Sequence, residues 1–64
     1  MTPWQERLVK EKQELDQKIT KLTAFISGPD FGELDSENQY WLKEQLKAME
    51  NYSYSLQRRI NLFN

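Results

Sequence analysis

Apolar side chains recur at alternating spacings of three and four in two separate stretches. The first carries Leu8, Leu15, Ile19, Leu22 and Ile26, with Lys12 on the same stripe; the second carries Leu42, Leu46, Met49, Leu56, Ile60 and Phe63, with Ser53 on the same stripe. This rhythm predicts two amphipathic helices. Their ends are marked as well. Thr2, Pro3 and Gln5 have the order of a capping box with proline at the first helical position. The first helix is expected over about 3–27; Gly28 suits the position after its end and Pro29 forbids continuation. Residues 28–35 read as a connector. Ser36 with Gln39 offers a second capping box, and Asp35 is an equally good cap, for a helix over about 36–62. No strand pattern, repeat or low-complexity segment is visible. The expected fold is all-α: one domain, 1–64, forming a two-helix antiparallel hairpin that assembles into a symmetric homo-oligomer.

Folding one stripe onto the other sets Leu15 against Met49, Ile19 against Leu46, and Lys12 against Ser53. A cation on an apolar seam costs stability unless something pairs with it. Lys12 therefore snorkels to solvent, fixes register, or meets an anionic partner. Phe31 and Leu34 are expected to plug the turn end of the core. Apolar surface exceeds what one seam uses. Trp4, Val9 and Phe25 fall off the first stripe, Trp41, Ala48 and Tyr52 form a second stripe, and Tyr40 and Tyr54 lie elsewhere.

Length gives that surplus its meaning. A 64-residue two-helix chain buries too little apolar surface to offset its chain entropy, so self-association is expected. The chain has no Cys and no His, which excludes a disulfide framework, a Cys/His zinc site and a histidine general base. It has no apolar run long enough to span a membrane. With 30% charged residues and a net charge of −1, it lacks the overall basic field of a DNA or RNA coat. The charge is polarised. Residues 1–12 and 52–64 hold five cations against two acids, net +3, whereas 13–51 hold four Lys against eight acids, net −4. A hairpin therefore has a basic open end and an acidic turn end.

The basic end collects Trp4, Gln5, Arg7, Lys12, Tyr52, Ser53 and Arg59. Guanidinium and ammonium groups pair with phosphates and aromatic faces stack on bases, so this is a set of groups that suits a nucleotide. The same residues also fit a solvated basic end that complements the second helix C-terminus. Glu11, Glu14 and Asp16, or Glu33 and Asp35, could pair for acid–base chemistry, but helix-surface acids such as Glu14 with Lys18 are ordinarily solvated pairs. Ser53 and Ser55 have no histidine to activate them, and Gly28 with Gly32 matches no phosphate loop. No catalysis, cofactor or metal is expected.

Pro3 to Val9, Glu11-Lys12, Glu14-Leu15-Asp16, Lys18-Ile19, Lys21-Leu22 and Phe25-Ile26, followed by Gln45-Leu46, Ala48-Met49, Tyr52-Ser53, Leu56 and Arg59-Ile60, resemble the helical hairpin shared by phage anti-CBASS and anti-Thoeris proteins. Those proteins are sponges that bind cyclic nucleotide signals of bacterial defence systems and withhold them from effectors. The resemblance spans nearly the whole chain. It implies a counter-defence protein in the cytoplasm of the infected bacterium that sequesters cyclic di- or trinucleotides without cleaving them. It also implies a symmetric oligomer, a hexamer, with ligand sites between protomers. Better-known members carry additional segment around the hairpin, whereas this chain starts at the first cap. The resemblance therefore assigns the site to Gln5, Arg7, Lys12, Tyr52 and Arg59. The alternative is an oligomeric hairpin that binds another protein through its aromatic stripe.

Overall fold

The computed structural model describes residues 1–63. Two helices, α1 (Pro3–Ile26) and α2 (Ser36–Asn61), are joined by a connector containing one 3-10 turn, Phe31–Glu33. There is no strand among the described residues. The helices run antiparallel as a rod of 45 × 15 × 14 Å.

Each boundary has a local cause. Thr2 caps α1: its hydroxyl accepts from the Gln5 amide at 3.4 Å, and the Gln5 side-chain oxygen accepts from the Thr2 amide at 2.8 Å. Of the two possible caps on α2, Asp35 is the one used, its Oδ1 accepting from the Asn38 amide at 2.9 Å. Gln39 instead donates to the Leu34 carbonyl at 2.8 Å, which ties the connector to the first turn of α2. Gly28 follows the α1 cap without the left-handed backbone that usually selects glycine there, since no described residue has a positive φ. Its smallness serves close approach: a Cβ at this position would meet the Ala24 carbonyl oxygen at 3.2 Å.

The core is small and lies at the open end. Leu8, Leu56 and Ile60 are buried, with Leu56 fully so, and Val9, Leu15 and Phe63 pack against them. Val9 departs from the sequence expectation that it lies off the seam. It is half-buried and packs against this cluster, so the core takes an apolar arc wider than the narrow stripe of a coiled coil. Trp4 packs edge-to-face on Phe63, centroids 5.5 Å apart, and brings the two ends of the chain together. At the turn end, Phe31 is buried, with Phe25 edge-on at 6.4 Å and the Lys43 ammonium 5.6 Å from its ring centroid. Leu34 beside it is only half-buried. Between these ends, Ile19, Leu22, Leu42, Leu46 and Met49 are also half-buried.

Candidate ligand-binding site

Lys12 and Ser53 meet across the seam, as the folded register requires. The Lys12 ammonium donates to the Ser53 hydroxyl at 3.1 Å and to Asp16 Oδ2 at 2.6 Å, and Ser53 in turn donates to Asp16 Oδ1 at 2.6 Å. The anionic partner of the buried-stripe lysine is therefore within the chain, one helical turn further along α1. The Lys12 side chain is 18% exposed and that of Asp16 46% exposed, so the node spans from the seam to the surface. The hydrogen bond from Lys12, then that from Ser53, holds the Asp16 carboxyl below the usual carboxylate range, against the opposing effect of desolvation. A carboxyl depressed in the folded state contributes stability that is present above its unfolded value of roughly 4 and is lost as pH falls through the folded value. Asp16→Asn is accordingly expected to flatten the fall in melting temperature between neutral and strongly acidic pH. Solvent screening keeps that contribution under about 1 kcal/mol. A thermal denaturation series against pH checks it: an unchanged acid limb would show that the node does not couple to folding.

The seven residues read as a ligand site do not all share one surface. Counting about 100° per residue around each helix, Trp4, Arg7 and Glu11 of α1 lie on the same flank as Tyr52, Arg59 and Phe63 of α2. Contacts fix the sidedness: Tyr52 donates its phenolic hydrogen to Glu11 Oε2, and Trp4 rests on Phe63. The bond to Glu11 is the main cause of a Tyr52 phenol raised above its ordinary range, and Arg59 pulls the other way. Trp4 is 50% and Tyr52 46% exposed, and both arginines are exposed. Arg58 lies over Tyr54, 5.9 Å from the ring centroid. Salt bridges among the described residues join Lys10 to Glu14, Lys12 to Asp16 and Lys47 to Glu44, and none involves Arg7 or Arg59.

The other predicted residues have intrachain roles. Gln5 is spent on the capping box. Ser53 is buried in the node with Lys12. Lys12 also faces a groove of about 410 Å³ on the opposite flank, lined by Met1, Val9, Gln13, Asp16, Gln57 and Ile60. Gln13 and Gln57 carry no mark in the sequence, and Glu11 and Asp16 enter the sequence reading only as acid–base candidates, not as neighbours of a ligand site. For Asp16 a signal existed: it lies four residues beyond the stripe lysine, on the side turned toward Ser53. Nothing in the spacing marks Gln13 or Gln57.

The open end therefore carries two exposed guanidiniums and exposed aromatic faces on one flank and a polar node opening into a groove on the other. Guanidiniums of this kind suit anions, and aromatic faces suit planar rings. Among the described residues no group of three or more carboxylates is arranged to hold a metal ion, and no helix is long and apolar enough to cross a membrane. The family model described as Sequestin matches residues 2–62. No curated protein and no solved structure matches the chain.

Proposed function

The chain belongs to the Sequestin family, and on that premise we propose that it sequesters cyclic oligonucleotide immune signals, cyclic di- or trinucleotides, as a phage counter-defence protein of the infected host's cytoplasm. The family name denotes withholding a ligand, a binding role and not a catalytic one. The phage hairpin resemblance read from the sequence supplies the ligand class. The observation that carries the reading is the basic flank: Arg7 and Arg59 share it with the exposed rings of Trp4 and Tyr52, and none of the salt bridges among the described residues uses either guanidinium. Guanidiniums offer paired N–H donors to phosphate oxygens, and aromatic faces accept stacked bases. Of the remaining candidates, Lys12 opens on the opposite groove, and Ser53 and Gln5 act through the node and the cap.

Sequestration demands affinity without turnover. A nanomolar constant corresponds to about −12 kcal/mol, which a few desolvated guanidinium–phosphate contacts and stacked bases between protomers can supply. The assembly proposed is a homo-oligomer, a hexamer, and the half-buried middle of the seam supports such packing. A panel of cyclic di- and trinucleotides tests the reading by mass action: a bound ligand raises the melting temperature, and mass spectrometry afterwards recovers it intact. Recovery of a linearised product would replace sequestration by catalysis. No shift with any member would favour the second reading, a protein-binding hairpin, for which the edge-to-face pair Tyr40 and Trp41, 55% and 59% exposed, offers a surface.

A further inference from the structure

The flank that carries Arg7 and Arg59 continues along the whole rod, and its residues follow one rule. On α1, about a quarter-turn from the seam, the exposed edge is Arg7, Glu11, Glu14, Lys18, Lys21 and Phe25. On α2, on the same flank, it is Trp41, Gln45, Ala48, Tyr52, Ser55 and Arg59, again all exposed. Both series step by four, three, four, three and four. Such a series reads the same in reverse, so an antiparallel copy of either edge meets the original residue for residue.

The residues brought together by that reversal are complementary in every case. On α1 the reversal point is residue 16. It pairs Glu11 with Lys21, Glu14 with Lys18, and Arg7 with Phe25. On α2 the reversal point is residue 50. It pairs Trp41 with Arg59, Gln45 with Ser55, and small Ala48 with large Tyr52. Acid thus meets base, guanidinium meets aromatic face, and amide meets hydroxyl. The two reversal points are also level with one another. Glu11 with Tyr52, Lys12 with Ser53, and Trp4 with Phe63 touch across the hairpin, residue numbers that add to 63, 65 and 67. Residue 16 therefore lies beside residue 50, and one axis serves both helices.

We propose that two copies of the chain pack flank to flank about a two-fold axis perpendicular to the helices at residues 16 and 50, each completing the other's basic end with the partner's Phe25 and Trp41. This deepens the self-association in the proposed function. Each guanidinium stacks on a ring of the other copy and keeps its edge N–H groups for phosphate. The acidic turn end of one copy also lies along the basic open end of the other, which opposes the polarised charges favourably. The rest of the α1 edge is then held by paired charges instead of bulk apolar contact, which specifies orientation.

The absence of cysteine from the chain makes a crosslinking test clean. Gln45→Cys and Ser55→Cys in one chain are about 15 Å apart along α2, too far to bridge within the molecule. Under mild oxidation the double variant is expected to run as a covalent dimer, and an equimolar mixture of the two single variants as a heterodimer. Each single variant alone is expected to stay largely uncrosslinked. No dimer from the double variant, or single variants that crosslink to themselves as readily, would overturn the proposal. Charge reversal gives an independent reading. Glu14→Lys alone or Lys18→Glu alone places like charges opposite each other twice per dimer and is expected to weaken self-association about tenfold by sedimentation. Mixing the two variants restores opposite charges and is expected to restore association; a mixture as weak as its components would contradict the pairing. Neither experiment contains a nucleotide, so failure here is distinct from failure of the ligand reading.

Discussion

Arg7→Ala or Arg59→Ala is expected to weaken binding of a cyclic oligonucleotide by tenfold or more, with helicity retained. A charge-assisted hydrogen bond lost from a binding site costs about 1.5–3 kcal/mol, and every 1.4 kcal/mol is a factor of ten. Helicity should survive because both side chains are exposed and neither enters a salt bridge among the described residues. Lys47→Ala serves as the control, since that lysine pairs with Glu44 on an exposed surface of α2. The assembly state of each variant is measured by sedimentation, so that a lost interface is not mistaken for a lost contact. Added salt should weaken binding, but less steeply than for a DNA-binding protein, because only two or three phosphates are engaged. Equal affinity in the arginine variants and the control would remove the basic flank from the site.

Leu56→Ala is expected to have the largest effect on stability. Leu56 is the one side chain with no exposure among the described residues, and it joins Leu8 and Ile60 in the core. Leu to Ala in such a position costs about 2–5 kcal/mol through lost transfer energy and a residual cavity. A hairpin with so few buried apolar side chains has little reserve. Circular dichroism at 25 °C should show a large loss of helix. Leu62→Ala is the comparison: Leu62 is 87% exposed and its removal should change almost nothing. Similar curves for both would mean that the packing of the open end does not hold the hairpin.

Much of this fold was legible because helix periodicity and capping chemistry are local. The alternating three-and-four spacing places Lys12 opposite Ser53, and the structure joins them at 3.1 Å. Thr2 and Gln5 form their box because both partners lie within one turn. The choice between Asp35 and Ser36 as the α2 cap was not legible, since either side chain could reach an orphan amide, and the path of the connector decides it. Gly28 was legible as a helix stop but not in its reason, which is the nearby Ala24 carbonyl.

The make-up of the open end was legible in the sequence, and the bonding of its side chains was not. The sequence shows which residue types gather at the open end. It does not show which of them are occupied by neighbours. Gln5 goes to the cap, Lys12 and Ser53 go to Asp16, and Tyr52 goes to Glu11. Spacing alone makes Asp16 a surface acid, because i,i+4 pairs are usually solvated. Here the lysine sits on the stripe and draws its partner toward the seam. Once those bonds form, Arg7 and Arg59 with Trp4 remain on one flank, away from the groove that Lys12 faces.

The most direct measurement of sequestration is isothermal titration calorimetry of the assembled protein with cyclic di- and trinucleotides, with the ligand recovered afterwards. The expected result is saturable heat with at least one of them, a fixed whole-number ratio of protomers to ligand, and recovery of the cyclic compound uncleaved. No heat with any cyclic di- or trinucleotide, at protein concentrations where the assembly is intact, would contradict it.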